Sequence, residues 1–386
     1  MLQGHPPLIN MAEDLVPQQQ LVLLRKRPRH CDHSKEVDDI VVEILSRLPV
    51  KSLLRFRSVC KSWRALISDF YFVKKHLGHA FTDTSYSFRL VFLNARPRTV
   101  DLQGLEVHDH IRQQDSFAED ILGRSRILGS CNGIICLQEM MFDGIYRDDI
   151  FIWNPSTRAT QKVPKHKFTK GSRRFYGFGY DANTEDYKLI VGDSNHVAEE
   201  TKFGIFTLKT GSWRTVEDFQ FVNLDGQGCF ANGALHWLDS KYNFTRIMSF
   251  DLAKEKCEQL CRIVCGTMFT MGIGSNRNCL CYYTYSSIRS MPMTIWVMSE
   301  YGKDKPWTKL MNIPTHIVPY KVSLRPTQIL ENGEVLMILD GKECVVYNPK
   351  ENKYRTIFQT SAIFRRSPVV LYLDTIVSPE FGSLNM

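Results

Sequence analysis

The chain has 386 residues, 43% hydrophobic and 23% charged, a balance that supports buried cores and excludes wholesale disorder. Its net charge of +8 is moderate, and no stretch approaches the roughly 18–20 apolar residues of a membrane helix, so no membrane partner is expected. The one early apolar run, Leu21-Val22-Leu23-Leu24, is too short for a secretory core, which makes the 11 cysteines reduced thiols and the compartment cytoplasm or nucleus.

Residues 1–34 read as a disordered basic tail. They hold Pro6-Pro7, Gln18-Gln19-Gln20 and the run Arg25-Lys26-Arg27-Pro28-Arg29, without sustained periodicity. The basic run is of the kind that can serve nuclear import.

Residues 35–80 read as a small helical domain. Asp38 and Asp39 precede Ile40, Val41, Ile44, Leu45 and Leu48, and acidic residues before such a pattern suit a helix N-terminus, where they face unpaired amides and the positive end of the dipole. Pro49 is expected to stop that helix. Ser52 is placed to cap a second one through Leu53, Leu54, Phe56 and Val59, and Trp63, Leu66 and Ile67 mark a third. Three short helices cannot bury their own apolar surface, so the domain needs a partner. Nine basic against five acidic side chains over residues 35–80 point to an acidic one.

The run Ile44-Leu45-Ser46-Arg47-Leu48-Pro49-Val50-Lys51-Ser52-Leu53-Leu54-Arg55-Phe56-Arg57-Ser58-Val59-Cys60-Lys61-Ser62-Trp63 closely resembles the plant F-box motif. The resemblance implies docking on the Skp-type adaptor, and through it on the cullin, of a Skp–cullin–F-box ubiquitin ligase. It assigns adaptor binding to Ile44, Leu45, Leu48, Pro49, Leu53, Leu54, Phe56, Val59, Cys60 and Trp63. Adaptors of that family are acidic, in agreement with the local basic excess. F-boxes usually begin with a Leu-Pro pair; here Glu36-Val37-Asp38-Asp39 takes its place.

Residues 85–375 read as strands and turns that repeat. One hairpin recurs as Phe151-Ile152-Trp153 before Asn154-Pro155-Ser156-Thr157, as Gly204-Ile205-Phe206-Thr207-Leu208 before Lys209-Thr210-Gly211, as Ile247-Met248-Ser249-Phe250 before Ala253-Lys254, as Ile295-Trp296-Val297-Met298 before Tyr301-Gly302, and as Val345-Val346-Tyr347 before Asn348-Pro349. A weaker copy starts at Phe88–Val91 and turns near Arg96-Pro97. A second hairpin carries Asn-Gly between apolar runs at Asn132-Gly133, Asn232-Gly233 and Asn332-Gly333, and Tyr176–Asp181 leading to Tyr187–Val191 fills the same role. Asn-Gly supplies the positive φ that tight reversals need. Two hairpins make a four-stranded unit recurring every 40–60 residues or so, the period of propeller blades, and about six blades are expected.

This half is similar to the plant F-box-associated domain, often described as kelch-like. The matching residues are Gly129-Ser130-Cys131-Asn132-Gly133 with Ile135-Cys136-Leu137, Trp153-Asn154-Pro155-Ser156-Thr157-Arg158, and Gly177-Phe178-Gly179-Tyr180-Asp181 with Asp186-Tyr187-Lys188. The fold class is therefore α+β and multidomain: a three-helix F-box, then an all-β propeller-like domain, then a C-terminal tail over 376–386. Trp153, Trp213, Trp237, Trp296 and Trp307 read as packing aromatics.

No catalytic constellation stands out. Cys257, Cys261 and Cys265 recur every fourth residue and Cys279 lies two before Cys281, but strand alternation would split such ligands between faces, so no metal or other cofactor is expected. His236 beside Trp237 reads as a core residue. The chain is thus expected to be a non-catalytic receptor that holds an unidentified target protein for ubiquitination by proximity, with no nucleic-acid partner. The alternatives are a glycan-binding or metal-dependent kelch-type propeller and a ligase-independent nuclear F-box protein. Target-binding residues are not legible.

Overall fold

The computed structural model describes residues 33–82, 88–92, 98–101, 107–109, 125–140, 146–166, 173–195, 200–216, 223–241, 244–264, 269–276, 279–286, 291–301, 307–314, 324–330, 332–339, 343–359 and 369–380. The basic tail over 1–32, the Arg96-Pro97 turn and Cys265 lie outside them.

Four helices open the described chain where three were expected: α1 (His33–Leu45), α2 (Val50–Phe56), α3 (Lys61–Ser68) and α4 (Phe70–Thr82). The fourth was hidden by its aromatic opening, Phe70-Tyr71-Phe72-Val73, although Phe72, His76 and Ala80 are buried at a helical spacing of four. Asp69 caps it, its carboxylate accepting the Phe72 amide at 3.2 Å. Asp38 and Asp39 lie inside α1, not before it, and α1 ends before Pro49 can stop it. Pro49 instead stands at the N-cap of α2. Its carbonyl accepts the amides of Ser52 and Leu53 at 2.9 and 3.2 Å, so Ser52 is an interior residue and not the cap. Cys60 caps α3, its sulfur accepting the Trp63 amide at 3.4 Å.

The rest is β-structure in six sheets. The first holds β1 (Phe88–Phe92), β2 (Arg98–Asp101) and β3 (Val107–Asp109); the second β4 (Ser125–Cys131), β5 (Ile134–Met140), β6 (Tyr146–Trp153) and β7 (Thr160–Val163). The third holds β8 (Arg173–Asp181), β9 (Asp186–Asn195), β10 (Glu200–Thr207), β11 (Ser212–Val216) and a two-residue β12 (Gly226–Gln227), which runs parallel to β8. The fourth holds β13 (Cys229–Ala231), β14 (Ala234–Lys241), β15 (Phe244–Asp251) and β16 (Lys256–Val264). The fifth holds β17 (Phe269–Asn276), β18 (Cys279–Ser286), β19 (Met293–Met298) and β20 (Trp307–Ile313); the sixth β21 (Leu324–Ile329), β22 (Val335–Leu339), β23 (Glu343–Asn348) and β24 (Lys353–Gln359). The last strand, β25 (Val369–Leu373), returns to pair antiparallel with β1 as the innermost strand of the first sheet.

The inner strands β4, β8, β13, β17, β21 and β25 touch in that order, and β25 touches β4, closing a circle. An apolar cluster fills each gap: Ile127, Ile135 and Tyr372 between the first and second sheets, Phe178 and Leu189 with Ile152 between second and third, Phe203 and Trp237 between third and fourth. Ile247 with Leu280, Ile295 with Met337, and Leu90 with Val346 fill the others. Each sheet is apolar on both faces, so only a neighbour on each side removes it from water, and the ring is the arrangement that supplies both. The domain is a β-propeller.

Four of the hairpin turns share one device. Asn154, Asp181, Asp251 and Asn348 each accept, through a side-chain oxygen, the amides two and three residues on. The fourth residue on (Arg158, Glu185, Glu255, Asn352) then takes positive φ. The short side chain imitates a backbone turn and starts the reversal.

After β25 the chain runs beneath the helices. Ile376 is buried with Leu45, Val50, Leu53, Ile67 and Phe72, whereas Val377 is buried between the second and third sheets beside Val73 and Leu77 of α4. Asn154 donates to the carbonyls of Thr375 at 3.0 Å and Val377 at 2.7 Å, and the Thr375 hydroxyl donates to the Asn132 carbonyl at 3.0 Å. Residues 376–380, expected as part of a tail, thus include side chains buried in both domains.

Candidate functional site

The helical domain divides the ten residues assigned to adaptor binding. Leu45 and Leu53 are buried in its core, Leu53 with 0% exposure. Leu48, Leu54, Phe56 and Trp63 are half-buried against that core, Phe56 and Trp63 meeting edge to face at 5.2 Å. Ile44, Pro49, Val59 and Cys60 are exposed. Ile40, which the sequence reading used only to mark the helix, is exposed as well: Ile40, Ile44 and Val59 stand 59%, 57% and 64% in solvent. Ile40 and Ile44 are one turn apart on α1 and so share a face.

Charge surrounds this apolar surface. Lys51, Arg55, Lys61 and Arg64 are exposed on α2 and α3. Glu43 is spent within the domain, bonded to Lys75 of α4 at 2.5 Å and to Arg47 at 2.6 Å. Those bonds hold its carboxyl down at about 2, and they neutralise the main local anion. The Cys60 thiol is lowered by the Ser62 hydroxyl and then by the Trp63 amide. His76, buried where α4 faces the core, has its Nε2 within 3.1 Å of the Leu48 carbonyl oxygen. Burial pushes its pKa down to about 4, leaving it neutral near pH 7.

Elsewhere the other candidate groups are engaged in packing. His236 is fully buried with Nδ1 3.2 Å from the Cys229 carbonyl and Nε2 2.7 Å from the Tyr301 hydroxyl. The carbonyl requires the proton on Nδ1, so Nε2 accepts from Tyr301. Cys257 and Cys261 are half-buried on β16, and burial pushes the Cys257 thiol up to about 12, which disfavours the thiolate a metal needs. Among the described residues no group of three or more His, Cys, Asp or Glu side chains is placed to hold a metal ion, and no helix is long and apolar enough to cross a membrane. Trp153 and Trp237 are buried in the clusters between sheets; Trp296 stacks on Tyr282, and Trp307 meets it edge-on.

Comparison with known proteins agrees with this division. The family profile of the F-box domain matches residues 37–75, and that of the F-box associated beta propeller domain matches residues 85–379. The chain belongs to the F-box proteins that carry an F-box associated propeller. An F-box/kelch-repeat protein of Arabidopsis thaliana is 29% identical over 367 residues, covering 89% of this chain and 95% of the relative. The F-box protein CPR1 of the same plant is 27% identical over 360 residues, covering 83% of each. Among solved structures, TolB from Acinetobacter baumannii aligns over 75% of this chain and 67% of its own at 9% identity with a TM-score of 0.43, too low to carry an argument.

What the sequence reading missed around the F-box is its support. Residues 369–373, Val-Val-Leu-Tyr-Leu, are an apolar β-prone run that marks a strand. Ile376 and Val377 follow at adjacent positions and so face opposite ways. That signal was present in the sequence, but nothing local says which domain each side chain enters.

Proposed function

We propose that this F-box protein is the substrate-recognition subunit of a Skp–cullin–F-box ubiquitin ligase, its helices docking a Skp-type adaptor and its propeller holding a target protein. On this reading the six sheets are six blades of one propeller, and the chain contributes proximity in place of chemistry: a tethered lysine meets the charged conjugating enzyme at high effective concentration.

The observation that carries the reading is the exposed apolar face of α1 and the α2–α3 junction, with Ile40, Ile44 and Val59 more than half in solvent beside exposed Lys51, Arg55, Lys61 and Arg64. Three exposed aliphatic side chains in so small a domain fit an interface core, and the cationic rim fits an acidic partner. Leu45 and Leu53 then support the surface from behind. The test is capture of Skp-type adaptors by the full chain and by Ile44→Glu and Val59→Glu variants. Wild type is expected to retain an adaptor, and each variant to lose at least tenfold in affinity while melting within about two degrees of wild type, since both sites face solvent. A folded wild type that captures no adaptor, or variants that capture it equally well, would overturn the reading. Leu53→Ala is the contrasting control, because its loss would register as unfolding.

A further inference from the structure

The propeller closes by pairing its first strand with its last, and the F-box rests on the end of that pair. β25 lies antiparallel to β1, with Phe88 opposite Leu373 at the final rung. Leu373, 3% exposed, is buried with Ala80 of α4, and Leu77 and Phe88 pack against the two. The residues that follow leave the sheet and form no strand of their own. Ile376 enters the helical core among Leu45, Val50, Leu53, Ile67 and Phe72, and Val377 enters the seam between the second and third sheets. An extended segment without a ladder depends on side-chain bonds for its seat.

Those bonds come from two turns of the second sheet and one side chain of the first. Asn154 donates to the Thr375 and Val377 carbonyls, and the Thr375 hydroxyl donates to the Asn132 carbonyl. Asp374 accepts from the Ser156 hydroxyl and pairs with Arg89 of β1 at 3.3 Å. The asparagine at 154 is specific to this task. Asp181 and Asp251 build the same kind of turn with a carboxylate. At 154 the side-chain oxygen accepts the Ser156 and Thr157 amides while the nitrogen donates to the two carbonyls, which a carboxamide can do and a carboxylate cannot. The F-box core and the closing strand therefore share α4 and residues 374–377. A helical domain of about fifty residues has little stability of its own and opens locally. Its opening releases Ile376 and strips the cover from Leu373 at the end of the β1–β25 pair.

We propose that adaptor docking and closure of the propeller form one coupled equilibrium: the F-box and the closing strand pair open together, and an adaptor bound to the F-box holds the ring shut. The exposed face of Ile40, Ile44 and Val59 belongs to the helices whose inner sides hold Ile376. Leu45 follows Ile44 on α1, and Val50 and Leu53 stand on α2. A partner that binds only the folded helices suppresses every opening that includes them, about a hundredfold at a hundred times its Kd. By reciprocity, a shut ring raises adaptor affinity. The receptor thus holds its target domain most firmly once it is assembled. This deepens the receptor reading and rests on it for the identity of the ligand as a Skp-type adaptor; the sharing of one segment by two cores stands without it.

The test is hydrogen exchange of the full chain, read by mass spectrometry with and without a purified Skp-type adaptor at about a hundred times its Kd. Bound adaptor is expected to slow the amides of α2 and α3, and with them those of β1 and β25, by about tenfold to a hundredfold, leaving β14 and β22 unchanged. Asn154→Asp keeps the turn acceptor and sets a carboxylate against the two carbonyls. In that variant the adaptor should still protect the helices, while its protection of β25 falls by about fivefold, the worth of a lost hydrogen bond. Val50, 3% exposed, lies behind the docking face. Val50→Ala should speed β1 and β25 by the same factor as α2 and α3 with no adaptor present. Three results would overturn the coupling: β1 and β25 exchanging as in the free chain beside protected helices, undiminished β25 protection in Asn154→Asp, or Val50→Ala speeding the helices alone. A folded wild type that binds no adaptor, with Val50→Ala speeding helices and closing strands together, would sink the ligase role while leaving the coupling.

Discussion

Buried charge shows most clearly how single residues hold this fold. Lys188 on β9 reaches out of the third sheet to the fourth: its ammonium bonds Asp181 at 2.8 Å, the Leu252 carbonyl at 2.7 Å and Glu255 at 3.1 Å, with its side chain only 6% exposed and that of Asp181 0%. Burial raises the Asp181 carboxyl, but Lys188, Thr184 and the Asn183 amide outweigh it and hold the group below the usual range. Asp181 also builds the β8–β9 turn, so it cannot leave when its partner is removed. Lys188→Met should therefore destabilise by about 3–5 kcal/mol, the cost of stranding a buried charge, and Asp181→Asn in the same chain should restore part of it. Urea midpoints of the two variants and wild type give the comparison. An unchanged midpoint in Lys188→Met would mean that Asp181 relaxes to solvent. Two histidines set a second residue-scale expectation. Burial lowers His76 and His236 from 6.5 to about 4 each, so the unfolded chain binds more protons than the folded one between those values. Their contribution is complete above pH 6.5 and falls as pH drops toward 4, by about 1.4 kcal/mol per pH unit for each histidine. A urea series from pH 7.5 to 4.5 should show that slope, and a His76→Gln/His236→Gln chain should lose most of it.

Among elements, α4 and the segment after β25 do more than connect. Helix α4 gives Phe72 to the helical core, Leu77 to the propeller side and Val73 to both, and Ile376 and Val377 divide the same two cores from the other end of the chain. Ile376→Ala should cost about 2–5 kcal/mol as a core truncation, localised in the F-box. Hydrogen exchange is expected to speed at the amides of α2 and α3 and to stay slow in β14 and β22; uniform acceleration would show that the two cores open as one. How much of this could be read in advance depended on range. The Asn-Gly reversals at 132–133 and 232–233 and the Asn154 turn are local chemistry, and their positive φ values follow from the residues alone. The central helix α2 was visible in Leu53, Leu54 and Phe56, but its cap was misplaced: Ser52 is a strong capping residue by type, and Pro49 won because its fixed φ already suits the position. The proposed adaptor face was legible as a set and not as a surface. Leu45 and Ile44 are equivalent in composition and neighbours in sequence, and only packing against the core of Val50, Leu53, Ile67, Phe72 and Ile376 decides which is buried.

At the scale of the molecule, closure is the feature on which the rest depends. The propeller ring is joined by β25 on β1, pairing residues 88–92 with 369–373, and the chain then locks onto the second sheet through the Asn132-Gly133 turn. Gly133 has φ +85°, and a Cβ there would come within 2.2 Å of the Thr375 hydroxyl and 2.5 Å of the Leu373 carbonyl. Both the backbone angle and the contact demand glycine. Gly133→Ala should therefore strain the turn and lift residues 373–375, weakening the bonds from Asn154 and Thr375 that hold the strap and loosening Ile376 beneath the F-box. The expected loss is about 2–4 kcal/mol in urea unfolding, above the usual point-mutant range because backbone strain and lost closure add. Because one strap serves both domains, faster protease cleavage should appear in the helices and in β25 together. If only the helices become sensitive, the ring is closed by its apolar clusters and the strap merely seats the F-box; if only β25 does, the F-box stands on α4 alone.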